Sequence, residues 1–410
     1  MKPILIDAKT AFKKNILTRV PSGLKYTDKL IPSSHIYSKV QATMYGLNEA
    51  LVSAENGSNL RSLFDKEMLK LAKLYEQTGD ISEYGTYAYY PRTNDLVQYA
   101  PREMNRLAMV ASNSSLYLDP SMKMSYPKSQ EILRNIHPAV MGLSVGSNIV
   151  KAIMQVIRPE AISIADPAMF KATNQNRVTG LSYQTMLLSE LETKSNSETI
   201  YGLRNKAEVL AEQLYGEDPF INISVFKDGV TLKNIDKFLN NINIVIDVAD
   251  STEYKLALAQ KARERGIRYM RITDAGDSVW IDIRPFDLDN NISISPGISD
   301  QKLFELEESA SRSREDFFRF ADALVGGGYR KILGEFSALL NGKLPKYVAS
   351  IPQSGATTMV GGGWCSNTIA RMFMGHKFHE RMVFDMRNTK VETFFKVVPG
   401  LVVDEVRVAI

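Results

Sequence analysis

The chain contains 410 residues, of which 44% are hydrophobic and 23% charged, the ordinary balance of a globular protein. This length suffices for two or three domains of roughly 100–200 residues each. The formal net charge of +4 is too small to indicate nucleic-acid binding by itself.

The single cysteine and the N-terminal segment indicate the compartment. One thiol, Cys365, excludes a disulfide framework and a zinc site built from paired cysteines, so no zinc is expected. Residues 1–14 lack the apolar core and the small-residue cleavage site of a secretory signal peptide. No apolar run reaches the roughly 18 residues that a membrane-spanning helix needs. We therefore expect a cytoplasmic protein that does not enter a membrane.

The first part of the chain predicts an N-terminal α+β domain over residues 1–125. Apolar residues at helical spacing predict helices over 38–55 and 60–77. Thr86–Tyr90 and Asp95–Tyr99 are predicted to be two short strands joined by a turn.

Residues 126–410 predict a second, α/β domain in which short apolar strands alternate with helices. Strands are predicted at Ala139–Leu143, Ala161–Ala165, Asn222–Phe226, Ile242–Val248 and Arg268–Thr273. Helices are predicted at Ser147–Ile157, Lys206–Leu214, Leu232–Asn240 and Tyr254–Arg265. Such alternation predicts a Rossmann-like, doubly wound, mostly parallel sheet. Beyond residue 300 the sequence predicts mostly helix, including Trp364–Met374 after the glycine triplet Gly361–Gly363.

The turn after the first strand of this domain is the natural place for a phosphate. Glycines between a strand and a helix let backbone N–H groups approach an anion at the helix N-terminus. Here the turn reads Gly142-Leu-Ser144-Val-Gly146, so a serine replaces the second glycine of the usual G-x-G-x-x-G pattern and the third glycine is missing. The turn alone is therefore weak evidence for nucleotide binding.

The same five residues also match the G-x-S-x-G nucleophile elbow of α/β-hydrolases. In that reading Ser144 is the nucleophile, and an aspartate and a histidine must follow it in the chain. Asp247 or Asp250 with His376 or His379 would satisfy the order. The remaining polar residues of the domain fit a different pattern.

Further polar residues follow at the ends of later strands and at the start of a helix. An acid after the second strand, such as Asp166, typically holds a ribose hydroxyl, although it could simply cap the next segment. In the alternative interpretation, Arg177 and Lys206 lie on a solvated surface and Asp250 caps a helix. Taken in order over about residues 136–275, the set resembles the ThiF/MoeB adenylating superfamily, which includes the catalytic domains of ubiquitin-activating enzymes. The G-L-S-V-G form of the turn is similar to a less characterised branch of that superfamily.

The resemblance implies a role for each matching residue. It implies ATP and Mg²⁺ as cofactors, with the metal on Asp250 and the ribose on Asp166. The turn residues Gly142, Ser144 and Gly146 would shape the nucleotide site. The phosphates would be contacted by Asn174, Arg177 and Lys206.

Adenylation requires such groups, because attack of a carboxylate on the α-phosphate builds negative charge that cations and Mg²⁺ must neutralise. Arg177, Lys206 and Asp250 are therefore the candidate catalytic residues.

Cys365 lies in a predicted packed helix, so we expect no thioester intermediate. The resemblance implies a carboxylate on a peptide or a ubiquitin-like protein as substrate, recognition of that partner by residues 1–125, and a homodimer.

Other functions remain open at this point. A tRNA-modifying dehydratase of the same superfamily would need a basic groove, whereas the lysines and arginines here are scattered. A nicotinamide dehydrogenase would leave Asn174, Arg177 and Asp250 without a task. The altered glycine turn also suits a catalytically inactive nucleotide-binding scaffold.

Overall fold

The computed structural model describes residues 2–6, 60–62, 86–90, 95–99, 131–180, 203–249, 254–325 and 353–398. The chain divides into two compact units, Met1–Ser121 with Ala211–Ile221, and Met122–Leu210 with Asn222–Ile410. The predicted helix over 38–55 and the candidate metal ligand Asp250 lie outside the described residues.

The first unit contains a four-stranded sheet. Its strands are β1 (Ile4–Ile6), β2 (Leu60–Ser62), β3 (Thr86–Tyr90) and β4 (Asp95–Tyr99), in the order β1-β3-β4-β2. The two predicted strands β3 and β4 are confirmed to the residue and form an antiparallel hairpin.

The predicted helix over 60–77 is wrong at its beginning. Leu60–Ser62 are extended and pair in parallel with Leu96, Val97 and Gln98 of β4. Pairing with β4 satisfies the backbone hydrogen-bonding groups of these three residues. The helical spacing of apolar residues is a local pattern that does not include this partner, so the tertiary pairing overrides it. The remainder of that predicted helix lies outside the described residues.

The second unit contains an eight-stranded sheet. Its strands are β5 (Pro138–Met141), β6 (Ala161–Ala165), β7 (Asn222–Phe226), β8 (Ile244–Asp247), β9 (Arg268–Ala275), β10 (Ser278–Arg284), β11 (Phe378–Asp385) and β12 (Lys390–Val398). They are ordered β7-β6-β5-β8-β9-β10-β11-β12. The first five strands of this order are parallel, and the last three are antiparallel.

This strand order is Rossmann-like and doubly wound, as predicted. From β5 the chain moves outward through β6 to β7, and then returns to place β8 on the other side of β5. The sheet therefore changes winding direction between β5 and β8, both of which are fully buried. In open sheets of this kind, ligands bind outside the carboxyl ends of the strands at that switch point.

Helices cover both faces of the sheet. They are α1 (Gly146–Val156), α2 (Lys206–Glu217), α3 (Ile235–Phe238), α4 (Lys255–Glu264), α5 (Asp300–Ala310), α6 (Arg314–Val325) and α7 (Gly355–Phe373). One face packs against α1 and α7, and the other packs Met141 and Tyr269 into a cluster with residues of α4, α5 and α6. No helix among the described residues has the length and apolar character needed to cross a membrane.

Two predicted helices need correction. Leu232–Asn240 is helical only over α3, and the last long helix begins at Gly355 rather than after the glycine triplet. The triplet lies inside α7 because the helix crosses α1 closely at this point: a Cβ at Gly362 would lie 2.9 Å from the carbonyl oxygen of Asn148. Gly362 therefore permits the close packing of α7 on α1, and the triplet does not mark a helix start.

Candidate functional site

The candidate site lies at the switch point, where three chain turns meet. Gly142 leaves β5 with φ +91°, and a Cβ there would lie 2.6 Å from the backbone nitrogen of Ala249 in the turn after β8. The Gly142 N–H donates to the carbonyl of Ala165 at the end of β6 over 2.9 Å. Only glycine combines this backbone conformation with so close an approach.

The N-terminus of α1 lies immediately after this turn. Val145 is its N-cap residue and offers no side-chain acceptor, and the first turn contains no acid. Ser144 Oγ instead accepts a hydrogen bond of 2.7 Å from Nε of Arg177. A guanidinium and a helix N-terminus thus lie beside the same turn, and both favour an anion there.

Asn148 holds the segment that carries Arg177. This side chain is buried in α1, where Nδ2 donates to the carbonyl of Arg177 over 2.6 Å and to Thr358 Oγ1 of α7 over 3.0 Å. Its Oδ1 accepts the N–H of Thr179 over 3.1 Å. Sequence reasoning assigned no role to Asn148, although a polar residue on the apolar face of a predicted helix is a signal that it has buried partners.

Asp166 ties the glycine turn to the end of β6. One carboxylate oxygen accepts the N–H of Leu143 over 2.7 Å, and the other accepts the N–H of Ala168 over 2.8 Å. Lys206 Nζ lies 3.6 Å from the first of these oxygens. Asp166 therefore accepts backbone N–H groups of the segments that follow β5 and β6, as a capping residue does. Its carboxylate still has lone pairs that can accept further donors such as ribose hydroxyls. The ribose role stays a prediction.

Lys206 and Asn174 lie beside Asp166 and Arg177, respectively, and the carbonyl of Asn174 accepts the N–H of Arg177 over 3.1 Å. Lys206 is the first residue of α2, is buried, and lies beside Asp166. Asn174 is buried, and its Oδ1 accepts the N–H of Lys171 over 2.8 Å, which organises its own loop. The proposed phosphate contacts of both side chains stay predictions.

The turn after β8 is fixed at its first residues by a buried ion pair. Asp247 is fully buried, and one of its oxygens lies 2.7 Å from Nζ of Lys255, which also donates to the carbonyl of Ala249. The other oxygen accepts the phenol of Tyr269. Burial and the neighbouring Asp247 raise the pKa of Tyr269, so the phenol stays protonated and donates.

A further acid, Asp274, lies near the end of β9. Both of its carboxylate oxygens are buried and lack a hydrogen-bond partner. Burial raises the pKa of Asp274 to about 7, Arg177 opposes that rise, and Asp277 adds to it. Sequence reasoning gave this residue no role. The described residues contain no group of three or more histidine, cysteine, aspartate or glutamate side chains suited to sharing a metal ion.

The hydrolase alternative finds no support around Ser144. Its Oγ is bonded to Arg177, whereas a nucleophilic serine needs a histidine as its base. His376 and His379 lie before and within β11, which is separated from β5 by β8, β9 and β10. Among the described residues, no histidine is hydrogen-bonded to Ser144.

Cys365 is placed where it cannot act as a nucleophile in the folded protein. It is fully buried in α7, its Sγ lies 3.5 Å from Sδ of Met270, and burial raises the pKa of its thiol. A neutral, inaccessible thiol reacts slowly. We expect Ellman's reagent to label the native protein only on the timescale of unfolding and to label one thiol per chain in denaturant. Fast labelling of the native protein would contradict this placement.

Comparison with known proteins gives distant similarities. No family model matches the chain. The uncharacterized protein MT1398 of Mycobacterium tuberculosis (strain CDC 1551 / Oshkosh) is 24% identical over 181 residues, which are 44% of this chain. The match covers 23% of that relative, so it spans less than a quarter of the relative's length.

Several solved structures are similar in fold. PaaA is 10% identical, with a TM-score of 0.46, over 72% of this chain and 84% of PaaA. The microcin C7 biosynthetic enzyme MccB, in complex with N-formylated MccA, is 13% identical, with a TM-score of 0.44, over 72% and 74% of the two chains. E. coli MccB is 12% identical, with a TM-score of 0.43, over 66% and 65%.

Proposed function

We propose that this protein binds Mg·ATP at the Gly142 turn and activates a carboxylate as an acyl adenylate. The observation that carries the proposal is the hydrogen bond between Arg177 and Ser144, which places a guanidinium next to the uncapped N-terminus of α1 at the switch point of the sheet. Both groups act on an anion in the crevice where such sheets bind ligands.

The proposed reaction uses the chain's own groups as follows. An oxygen of the substrate carboxylate attacks the α-phosphorus, the bond from that phosphorus to the bridging oxygen breaks, and pyrophosphate leaves. The attacking group is already an anion, so no general base is needed. Arg177 and the N–H groups of α1 stabilise the charge on the phosphates, Lys206 adds a second cation, and Asp166 binds the ribose. Asp250 would hold Mg²⁺, which when bound would supply positive charge to the phosphate oxygens; one protein carboxylate with several phosphate oxygens suits this metal.

The substrate in this proposal is the carboxylate of a peptide or small protein, recognised with the help of the first unit. Because Cys365 is buried, the activated acyl group passes directly to its acceptor without a thioester. A cytoplasmic homodimer remains part of the proposal. A scaffold that binds the nucleotide without catalysis is the second candidate, favoured by the serine in the glycine turn; release of pyrophosphate separates the two.

The test is isothermal titration calorimetry of the pure protein with Mg·ATP and, separately, with NAD. We expect Mg·ATP to bind and NAD not to bind. Arg177→Ala is expected to weaken Mg·ATP binding about 10- to 100-fold, because a charge-assisted contact to phosphate is lost. Asp250→Ala should weaken binding in Mg²⁺ more than in its absence.

A matched control removes an arginine from α6, which packs on the opposite face of the sheet from α1. Arg319 lies on α6, is 63% exposed and pairs with Glu315 over 2.6 Å, so Arg319→Ala should leave nucleotide binding unchanged. Binding of NAD in place of ATP, or an Arg177→Ala variant with the affinity of the original protein, would overturn the proposal. If binding is as expected, exchange of labelled pyrophosphate into ATP in the presence of peptide mixtures then distinguishes an enzyme from a scaffold.

A further inference from the structure

Strand β9 extends beyond the neighbouring parallel strands at the switch point. In the sheet register, Met141 of β5 lies beside Asp247 of β8, which lies beside Arg271 of β9. β5 ends at Met141 and β8 at Asp247, whereas β9 continues to Ala275. Asp274 is three residues past this row, so its Cα projects about 10 Å beyond the carboxyl ends of β5 and β8. On one side it pairs with Val279 of β10, and on the other side it projects past the end of β8, alongside the crevice.

Asp274 lies on the same side of the sheet as Arg177. Alternate residues of a strand share a face, so Asp274 shares the face of Met270, which contacts Cys365 of α7. Helix α7 packs on α1, and Thr358 of α7 accepts a hydrogen bond from Asn148, the residue that holds the Arg177 segment. Arg177 acts electrostatically on the Asp274 carboxyl and lowers its pKa, as expected for two groups on one side of the sheet.

An ionised carboxylate at the position of Asp274 would oppose anion binding. The candidate site attracts anions, and a negative charge on Asp274 would repel them. The charged groups that face it are Arg177 from the loop segment and Asp277 from the turn after β9. Asp277 is itself paired with Arg387 over 3.0 Å. Burial keeps much of the Asp274 carboxyl protonated at neutral pH by raising its pKa, and a protonated acid is a hydrogen-bond donor.

We propose that Asp274 is an additional binding residue of the nucleotide site, which as a neutral acid donates its O–H to a phosphate oxygen of bound Mg·ATP. Its two unpartnered oxygens, its place beside the crevice and its proximity to Arg177 support this role. The inference rests on the proposed function. This role predicts that Mg·ATP binding is coupled to proton uptake, because the nucleotide binds the protein in which the Asp274 carboxyl is protonated.

The test measures that proton. Mg·ATP binding to the original protein should be accompanied by proton uptake that grows from about pH 6 to about pH 8, and affinity should fall by up to about tenfold per pH unit above about pH 7. Calorimetry in buffers with different ionisation enthalpies gives the number of protons taken up. Asp274→Asn keeps a donor of similar shape that cannot titrate, so the variant should bind Mg·ATP without this uptake and with little dependence on pH.

Asp277→Asn is the control, because it removes a neighbouring charge and leaves Asp274 in place. That variant should retain proton uptake, shifted to lower pH since one cause of the raised pKa of Asp274 is gone. Thermal unfolding at about pH 8 should show Asp274→Asn to be at least as stable as the original protein, because a buried charge is removed.

The possible results separate the two proposals. Absence of proton uptake in the original protein, or equal uptake by Asp274→Asn, would overturn the role of Asp274 while leaving nucleotide binding intact. Failure of the original protein to bind Mg·ATP at any pH would overturn the proposed function, and this inference with it.

Discussion

Replacing Gly142 by alanine is expected to abolish measurable Mg·ATP binding and to destabilise the second unit by about 3 kcal/mol or more. The added Cβ would lie 2.6 Å from the backbone nitrogen and 2.7 Å from the Cα of Ala249, and the residue has φ +91°. Backbone atoms of two turns cannot yield as a flexible side chain can. The turns after β5 and β8 must therefore separate. Urea unfolding and calorimetric titration measure the two effects.

The matched control is Gly363→Ala. Gly363 lies in α7, and a Cβ built there meets no atom within 4 Å. Alanine is a better helix former than glycine, so this variant should be unchanged or more stable by roughly 0.5–1 kcal/mol. A Gly142→Ala protein that unfolds at the same urea concentration as the original would show that the two turns do not approach as described.

Asp247→Asn is expected to produce the second large effect. The substitution keeps the shape of a fully buried side chain but removes the charge that compensates Lys255, and it weakens the acceptor of the Tyr269 phenol. Leaving a buried charge uncompensated costs roughly 3–5 kcal/mol of the free energy of unfolding. Lys255 also holds the carbonyl of Ala249, so the turn after β8 should loosen and Mg·ATP binding should weaken.

An exposed ion pair provides the comparison. Glu315 and Arg319 are 67% and 63% exposed on α6, and Glu315→Gln should change the free energy of unfolding by less than about 0.5 kcal/mol. The double variant Asp247→Asn/Lys255→Met should recover part of the loss, because both charges are then absent. A cost below about 1 kcal/mol for Asp247→Asn would mean that Lys255 finds compensation elsewhere.

The elements that sequence reasoning located best are short and strongly patterned. β3, β4, β6 and β7 were predicted to the residue, since apolar or aromatic runs bounded by turn residues leave little choice of boundary. The doubly wound order followed from the alternation of such strands with helices.

The failures have a common physical origin. The beginning of the helix predicted over 60–77 is a strand because it pairs with β4, and the glycine triplet lies inside α7, where Gly362 packs against the backbone of α1. Both outcomes depend on a partner far away in the chain. Local spacing and the usual meaning of glycine do not include that partner.

The site shows the same division. The places of Gly142 and Asp166 could be read from the sequence because each directly follows a strand, whereas their roles, like that of Arg177, stay predictions. Asn148 and Asp274 were missed, because their importance depends on what surrounds them: Asn148 joins segments that are remote in sequence, and Asp274 matters through burial and its lack of a partner.

The crossing of α1 and α7 also affects the order of events during synthesis. Asn148 is hydrogen-bonded to Thr358, 210 residues later in the chain, and both side chains donate hydrogen bonds to the carbonyl of Arg177. At roughly 5–20 residues per second, the ribosome needs about 10–40 s to make the chain between them. Contacts of such long range also form slowly. The segment that carries Arg177 therefore gains its contact with α7 long after it is made, and a nascent chain that ends before α7 has the glycine turn and Asn148 but lacks Thr358, the second donor to the Arg177 carbonyl.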